Sequence, residues 1–526
     1  MAIASAILSR WAVAAALVAQ GTLAHATDGA VWVRSDNGAG WVGRTVSLGA
    51  QGTQVFTEIE YGQDHAELLS GFSADPAVPV WQNTLPIEGA NSVVDSAEMV
   101  DAHVSIHQRL INNNNATKHT VVSKYMSGSS TPSWTWTFPN ITAGNARVSI
   151  SDDGQRIVAG CFENPGNKLR LAIFGPSSGT PVWTGAIDNF SMGIRGWDLS
   201  SDGRILFAAS GSSITLRDTV AHANVGQYAL IGAVDGSFSM SGDARVFAYG
   251  GFSFMDVFER QPAGNWTKTY TRTLAGQYVC TKIDVSGNGA VIAYAFNGWD
   301  TANHVRIECL DVATKTVTMS DEAVGSGSLQ NVASDVAISK DGSRLVVGLW
   351  GDEADLCPEV RFYRSNQNVP VALHNLPGSA YDVDISAEGH HVAVASKAVH
   401  ANLYAGGGSI RYYAFEPQDI RCSGVPSPGS TVTFALEGPA SSPARLLWAP
   451  SQAATPISFG NYGTLYLNRL VMRTQTIPNT DAGGKTGVAY TLPAGAHQVG
   501  TSLYFQGLFT IPRRLTSDWV RVTILP

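Results

Sequence analysis

The chain has 526 residues, 14% of them charged and 44% hydrophobic, with a formal net charge of −8. That hydrophobic share excludes wholesale disorder. Thirty-four Lys and Arg against 42 Asp and Glu exclude the clustered basic footprint of a nucleic-acid binder.

Residues 1–26 predict a signal peptide. Arg10 precedes an apolar run from Trp11 to Val18, and the segment closes on Ala24-His25-Ala26, a small-x-small cleavage site. The run is shorter than the roughly 20 residues a membrane span needs. The expectation is a secreted or periplasmic protein beginning at Thr27, with no transmembrane helix after cleavage. The five cysteines, Cys161, Cys280, Cys309, Cys357 and Cys422, contain no CxxC pair, which removes zinc-knuckle and thioredoxin-type chemistry.

A hairpin then recurs along the chain. It reads SISDDGQRIVAG from Ser149, DLSSDGRILFAAS from Asp198 and AISKDGSRLVVG from Ala337, with weaker copies from Ser239, Asp284 and Asp384. Alternating polarity, a tight Asp-Gly or Asn-Gly turn and an apolar run predict two antiparallel strands. A second element comes next, a strand, a Ser/Gly/Pro turn and a strand carrying Trp, as in KLRLAIFGPSSGTPVW from Lys168 to Trp183. With two degenerate early copies, the turn positions are Gly52, Glu98, Gly154, Gly203, Ala244, Gly289, Gly342 and Gly389. Their mean spacing, about 48 residues with four strands per unit, predicts a β-propeller over 28–418. Eight units are counted, and the weakness of the second leaves seven or eight blades. The early strand Ala30–Asp36 is expected to complete the last blade. Cys280 is placed just before the first strand of its blade and Cys309 in the third, about 9.6 Å apart. That is beyond disulfide reach.

Residues 419–430, around CSGVPSPGS, predict a linker. The runs TVTFAL, ARLLWA, GTLYLN, RLVMRT, GVAYTL, SLYFQGLF and WVRVTIL within 431–526 predict a small β-sandwich. The whole chain is therefore read as all-β.

The hairpins resemble those of WD-repeat-like and quinoprotein-dehydrogenase-like propellers of secreted bacterial proteins. The Gly-x-x-x-Trp piece ending at Trp183 resembles the tryptophan docking motifs of the quinone enzymes, in which the Trp clamps one blade to the next. Those enzymes also carry an adjacent Cys-Cys pair over the cofactor, and this chain has none. The resemblance implies a fold more than an activity, because propellers host many unrelated functions.

Asp152, Asp153, Asp202 and Asp341 recur in register but read as turn residues rather than metal ligands. There is no HExxH or GxSxG. The longest polar connections fall on one propeller face, and there Trp299, Asp300, Trp350, Asp352, Glu353, Asp355 and Glu163 form an aromatic and acidic set. Such a set suits sugar rings or a cation. The expectation is a non-enzymatic binding or scaffold protein that uses this loop face toward a protein or carbohydrate at the cell surface. It needs no cofactor, with Ca2+ as the alternative. The competing reading is a polysaccharide lyase or hydrolase, or a quinone-dependent oxidoreductase, on the same propeller.

Overall fold

The computed structural model describes residues 30–524 with interruptions, among them 140–142, 164–165, 299–302, 353–355 and 401–406. The chain divides into two compact units, one ending at Phe415 and the other beginning at Glu416.

Among the described residues, the first unit contains eight four-stranded antiparallel sheets. Their inner strands are Trp41–Leu48, Asp95–Glu98, Ala143–Ile150, Gly196–Leu199, Ala233–Met240, Tyr278–Val285, Ala333–Ile338 and Ala380–Ile385. Each inner strand packs on the next, and the eighth meets the first, so the sheets stand in a closed cycle. This is a β-propeller, and the weakest repeat in the sequence forms its second sheet. Closure is made by Trp32–Asp36, which pairs with Gly408–Ala414 from Trp32↔Tyr412 to Asp36↔Gly408. The outer edge of the eighth sheet is thus supplied by the other end of the unit.

The recurrent turn has a local cause. Ser339 Oγ donates to the Asp341 carboxylate at 2.6 Å and accepts the Arg344 N–H at 3.1 Å. Ser151, Ser200 and Ser241 repeat this with Asp153, Asp202 and Asp243. Gly342 sits at φ +77°, the left-handed region where a side chain is strained. The turn carboxylates Asp153, Asp202 and Asp341 are therefore engaged within their own hairpins, as the turn reading expects.

Fourth strands pack on the third strands of the next sheet. Trp134 of the second sheet stacks on Phe174 of the third, with centroids 5.1 Å apart. Trp183 of the third sheet meets both His222, stacked at 4.8 Å, and the Arg217 guanidinium, 4.7 Å from its ring centre. Trp183 thus clamps the third sheet to the fourth. Cys280 lies within the first strand of its sheet, not before it, because Val279 and Cys280 are buried and extend the pairing with the second strand. Cys280 faces the fifth sheet and Cys309 the seventh. Both are free thiols.

In the second unit, Ile420–Ser423, Thr431–Glu437 and Lys485–Thr491 form one sheet. It faces a second built on Ala444–Ala449, Arg473–Ile477 and Ser502–Thr510, with Phe434 and Phe505 centroids 4.3 Å apart between them. This is the sandwich. Two boundaries differ from expectation. The segment read as linker opens with a strand, because Ile420 is fully buried between the sheets. The run RLVMRT is mostly turn, Val471 N–H bonding back to the Asn468 carbonyl, and its strand starts at Arg473.

Candidate functional site

An inner strand has one edge paired within its sheet and the other beside the axis, next to the inner strand of the neighbouring sheet. Its free N–H groups need acceptors, and each one left unpaired in the interior costs about 1–3 kcal/mol. The neighbouring sheet supplies them in a repeated register. The side chain five residues before a turn position accepts the N–H of the residue four before the next one. Asp198 takes the Met240 N–H at 3.0 Å, Asp284 the Ile338 N–H at 2.8 Å and Asp384 the Leu48 N–H at 2.6 Å. Ser239 takes the Val285 N–H at 3.1 Å. Two residues earlier, Asp335 takes Val383 at 3.3 Å and Asp382 takes Val46 at 2.8 Å. Asp382 and Asp384 therefore staple the eighth sheet to the first.

These carboxylates line the axis and remain partly open to it. Burial, opposed by hydrogen bonds from Met240, Leu199 and Ser239, raises Asp198 to about 6. Burial and the charges of Asp198 and Asp335 raise Asp284 to about 8. Burial raises Asp384 to about 7. Asp382 is also held well above the ordinary carboxylate range, through burial and the carboxyl of Asp335 beside it. At the turn end, backbone hydrogen bonds run from turn to turn, Ser201 N–H to Gly242 O at 2.7 Å and Lys340 N–H to Ala387 O at 2.9 Å among them. Lys340 of the seventh sheet also pairs with Asp152 of the third. The two sheets are opposite in the cycle, so this ion pair reaches across the axis at the turn end.

The loop end holds the residues singled out from the sequence. Asp352 is 1% exposed and turned inward. One of its carboxylate oxygens accepts from Ser326 N–H and Oγ, both at 2.7 Å, and the other from Leu356 and Cys357 N–H at 2.7 and 3.0 Å. Burial alone would raise its pKa, but the Ser326 hydroxyl and these N–H groups outweigh it and hold the carboxyl below its ordinary range. Asp352 thereby ties the 349–359 connection to the one leaving the sixth sheet. Trp350 faces Lys397, whose ammonium lies 5.7 Å from its ring centre and 5.3 Å from that of Tyr381. Burial lowers Lys397 to about 8. Glu359, fully buried, accepts from Leu376 N–H at 2.6 Å and sits 3.0 Å from His400 Nε2. Glu163 is elsewhere, between the second and third sheets, paired with Arg170 at 2.7 Å. Trp299, Asp300, Glu353 and Asp355 lie outside the described residues. The structure thus brings Trp350 and Asp352 together on one loop and separates Glu163 from them. Among the described residues no three His, Cys, Asp or Glu side chains are arranged to hold a metal ion.

Sequence reasoning overlooked two groups. One is the axial carboxylates, although Asp198, Asp284 and Asp384 stand at the same place in three of the repeats. The other is a set of exposed apolar side chains at the loop end. Met192 precedes the fourth sheet, Phe252 turns within the fifth, Val324 ends the sixth and Leu356 lies in the long loop of the seventh. They are 68%, 61%, 63% and 74% exposed.

No protein-family profile matches the chain, and no curated protein matches it. Among solved structures, the β-propeller domain of Cps50 (Swd1) from Myceliophteria thermophila aligns over 60% of this chain and 99% of that one, at 11% identity and a TM-score of 0.39. The fold assignment rests on the cycle of sheets itself: the chain carries a β-propeller followed by a β-sandwich.

Proposed function

We propose that this is an exported, non-enzymatic binding or scaffold protein that engages a partner protein with the loop end of its propeller. The observation that carries the reading is the apolar series Met192, Phe252, Val324 and Leu356, held at one end of successive sheets. Exposed apolar side chains gathered on one face mark interaction surfaces, and a closed ring of sheets presents its connections as a rigid platform. The Asp352 carboxylate of the long loop is committed to four donors, which favours support over proton transfer. Export is inferred from the Ala24-His25-Ala26 site. Intact mass of protein recovered from an exporting host should correspond to a start at Thr27, and a mass retaining Trp11 to Val18 refutes export by cleavage.

The binding reading is tested by affinity capture from the envelope fraction of the source cell. Wild type is compared with Met192→Ser/Phe252→Ser/Val324→Ser/Leu356→Ser and with a control, Val182→Ser/Val220→Ser/Val369→Ser. The control positions are exposed in the hairpin turns at the other end. A protein captured by wild type and control but lost from the loop-end variant supports the reading. Indistinguishable capture by all three overturns it.

A further inference from the structure

A cleft of about 440 Å³ opens between the second and third sheets, lined by Trp136, Phe138, Pro139, Arg170, Glu163 and Thr184, among others. Its volume falls within the roughly 300–1,000 Å³ range of small-molecule sites. Three features make it more than a gap between sheets.

The first is a polar pair with spare capacity. Arg170 reaches Glu163 through Nε alone, Nε to Oε2 at 2.7 Å. Its two terminal nitrogens and Glu163 Oε1 hold no partner among the described residues, while the side chains are 39% and 23% exposed. Here two donors and one acceptor stand side by side at the cleft wall.

The second feature is the charge. Guanidinium and carboxylate cancel, so the cleft presents adjacent donor and acceptor without net charge. A free anion would meet Glu163 and a cation would meet Arg170. A neutral vicinal diol suits both, one hydroxyl accepting from Arg170 and its neighbour donating to Glu163. Thr184 adds a hydroxyl to the same lining.

The third is an aromatic wall. Trp136 stands edge-on to Phe138 at 4.6 Å and to Phe174 at 5.4 Å. These contacts fix its ring, which remains partly exposed. A ring held in place offers apolar area to the C–H face of a ligand with little entropy left to lose.

We propose that this cleft is a subsite for neutral sugar residues of a polysaccharide, with Arg170 and Glu163 reading a pair of hydroxyls and Trp136 supporting the ring. It is a site separate from the loop-end protein surface and does not depend on it. The full chain is titrated, by calorimetry and tryptophan fluorescence, with tetrasaccharides of β-1,4-glucose, α-1,4-glucose, β-1,4-xylose, β-1,4-mannose and β-1,4-N-acetylglucosamine, and with a galacturonate trimer. At least one neutral tetrasaccharide should bind saturably. Arg170→Gln/Glu163→Gln, both partly exposed and away from the core, should lose affinity at least tenfold at an unchanged melting temperature. Trp136→Ala should lose the fluorescence response as well, and if it fails to fold the double exchange still decides. Binding must survive in the loop-end serine variant, which separates this site from the protein surface. The proposal is overturned if no neutral tetrasaccharide binds, if the double exchange leaves binding intact, or if only the uronate binds.

Discussion

Replacing Asp284 with Asn tests the account of the propeller axis. The amide keeps an oxygen for the Ile338 N–H but cannot ionise, so it separates the staple from the charge. In the native state burial, with Asp198 and Asp335 nearby, lifts Asp284 to about 8, against about 3.9 in an unfolded chain. Between those values the native state binds more protons than the unfolded one. Stability is therefore full below about pH 4 and is lost as pH rises toward 8, the reverse of an ion-paired aspartate. At about 1.36 kcal/mol per pH unit, a site sealed from water would lose about 4 kcal/mol between pH 5 and pH 8. Asp284 is partly open to the axial channel, and solvent there reduces the expectation to about 1–2 kcal/mol. The wild-type curve is a composite, because His103, lowered by burial to about 3, and His374 and His390, lowered to about 4, gain stability as pH rises toward 6.5. The readout is therefore the difference between variant and wild type, measured by scanning fluorimetry at pH 5, 6, 7 and 8. Asp284→Asn should gain on wild type by about 1–3 °C across that range. Asp284→Ala, which leaves Ile338 N–H without its acceptor, should fall below wild type by about 1–3 kcal/mol at pH 5. Parallel curves for Asn and wild type would refute the axial-charge argument.

Gly342→Ala should cost about 1–2 kcal/mol, because the residue stands at φ +77° and a Cβ there would lie 3.0 Å from Val291 Cγ2; urea melts read this directly. Asp352→Ala removes the acceptor of four donors that tie two connections together and should lower the melting temperature. An unchanged melting temperature would return Asp352 to the solvent face. Peptide mapping without reductant should recover no Cys280–Cys309 link, since the two thiols face different neighbouring sheets.

What was legible in the sequence is what neighbouring residues decide among themselves. The Ser-x-Asp-Gly turn is complete within six residues, from Ser339 to Arg344, so its recurrence could be counted and the propeller inferred before any long-range contact was known. The short run Ala30–Asp36 likewise read as a strand, and it was placed in the last blade, where it pairs with Gly408–Ala414. The sandwich boundaries were less legible, because Ile420 is a strand residue only by virtue of the sheet it is buried against. Chemistry at the sites depended on the ring. Asp198, Asp284 and Asp384 occupy one position of the repeat, but their acceptor role arises from a sheet about one repeat away, or, for Asp384, from residue 48 at the opposite end of the unit. Asp352 and its two acidic neighbours were indistinguishable in sequence, and only the fold shows that Asp352 points inward. Glu163 was grouped with the loop acids by composition, whereas strand pairing sets it beside Arg170 in the cleft between sheets. A side chain's local conformation is set by its neighbours in the chain, but its partner and its exposure are set by closure of the ring, which brings together residues hundreds of positions apart.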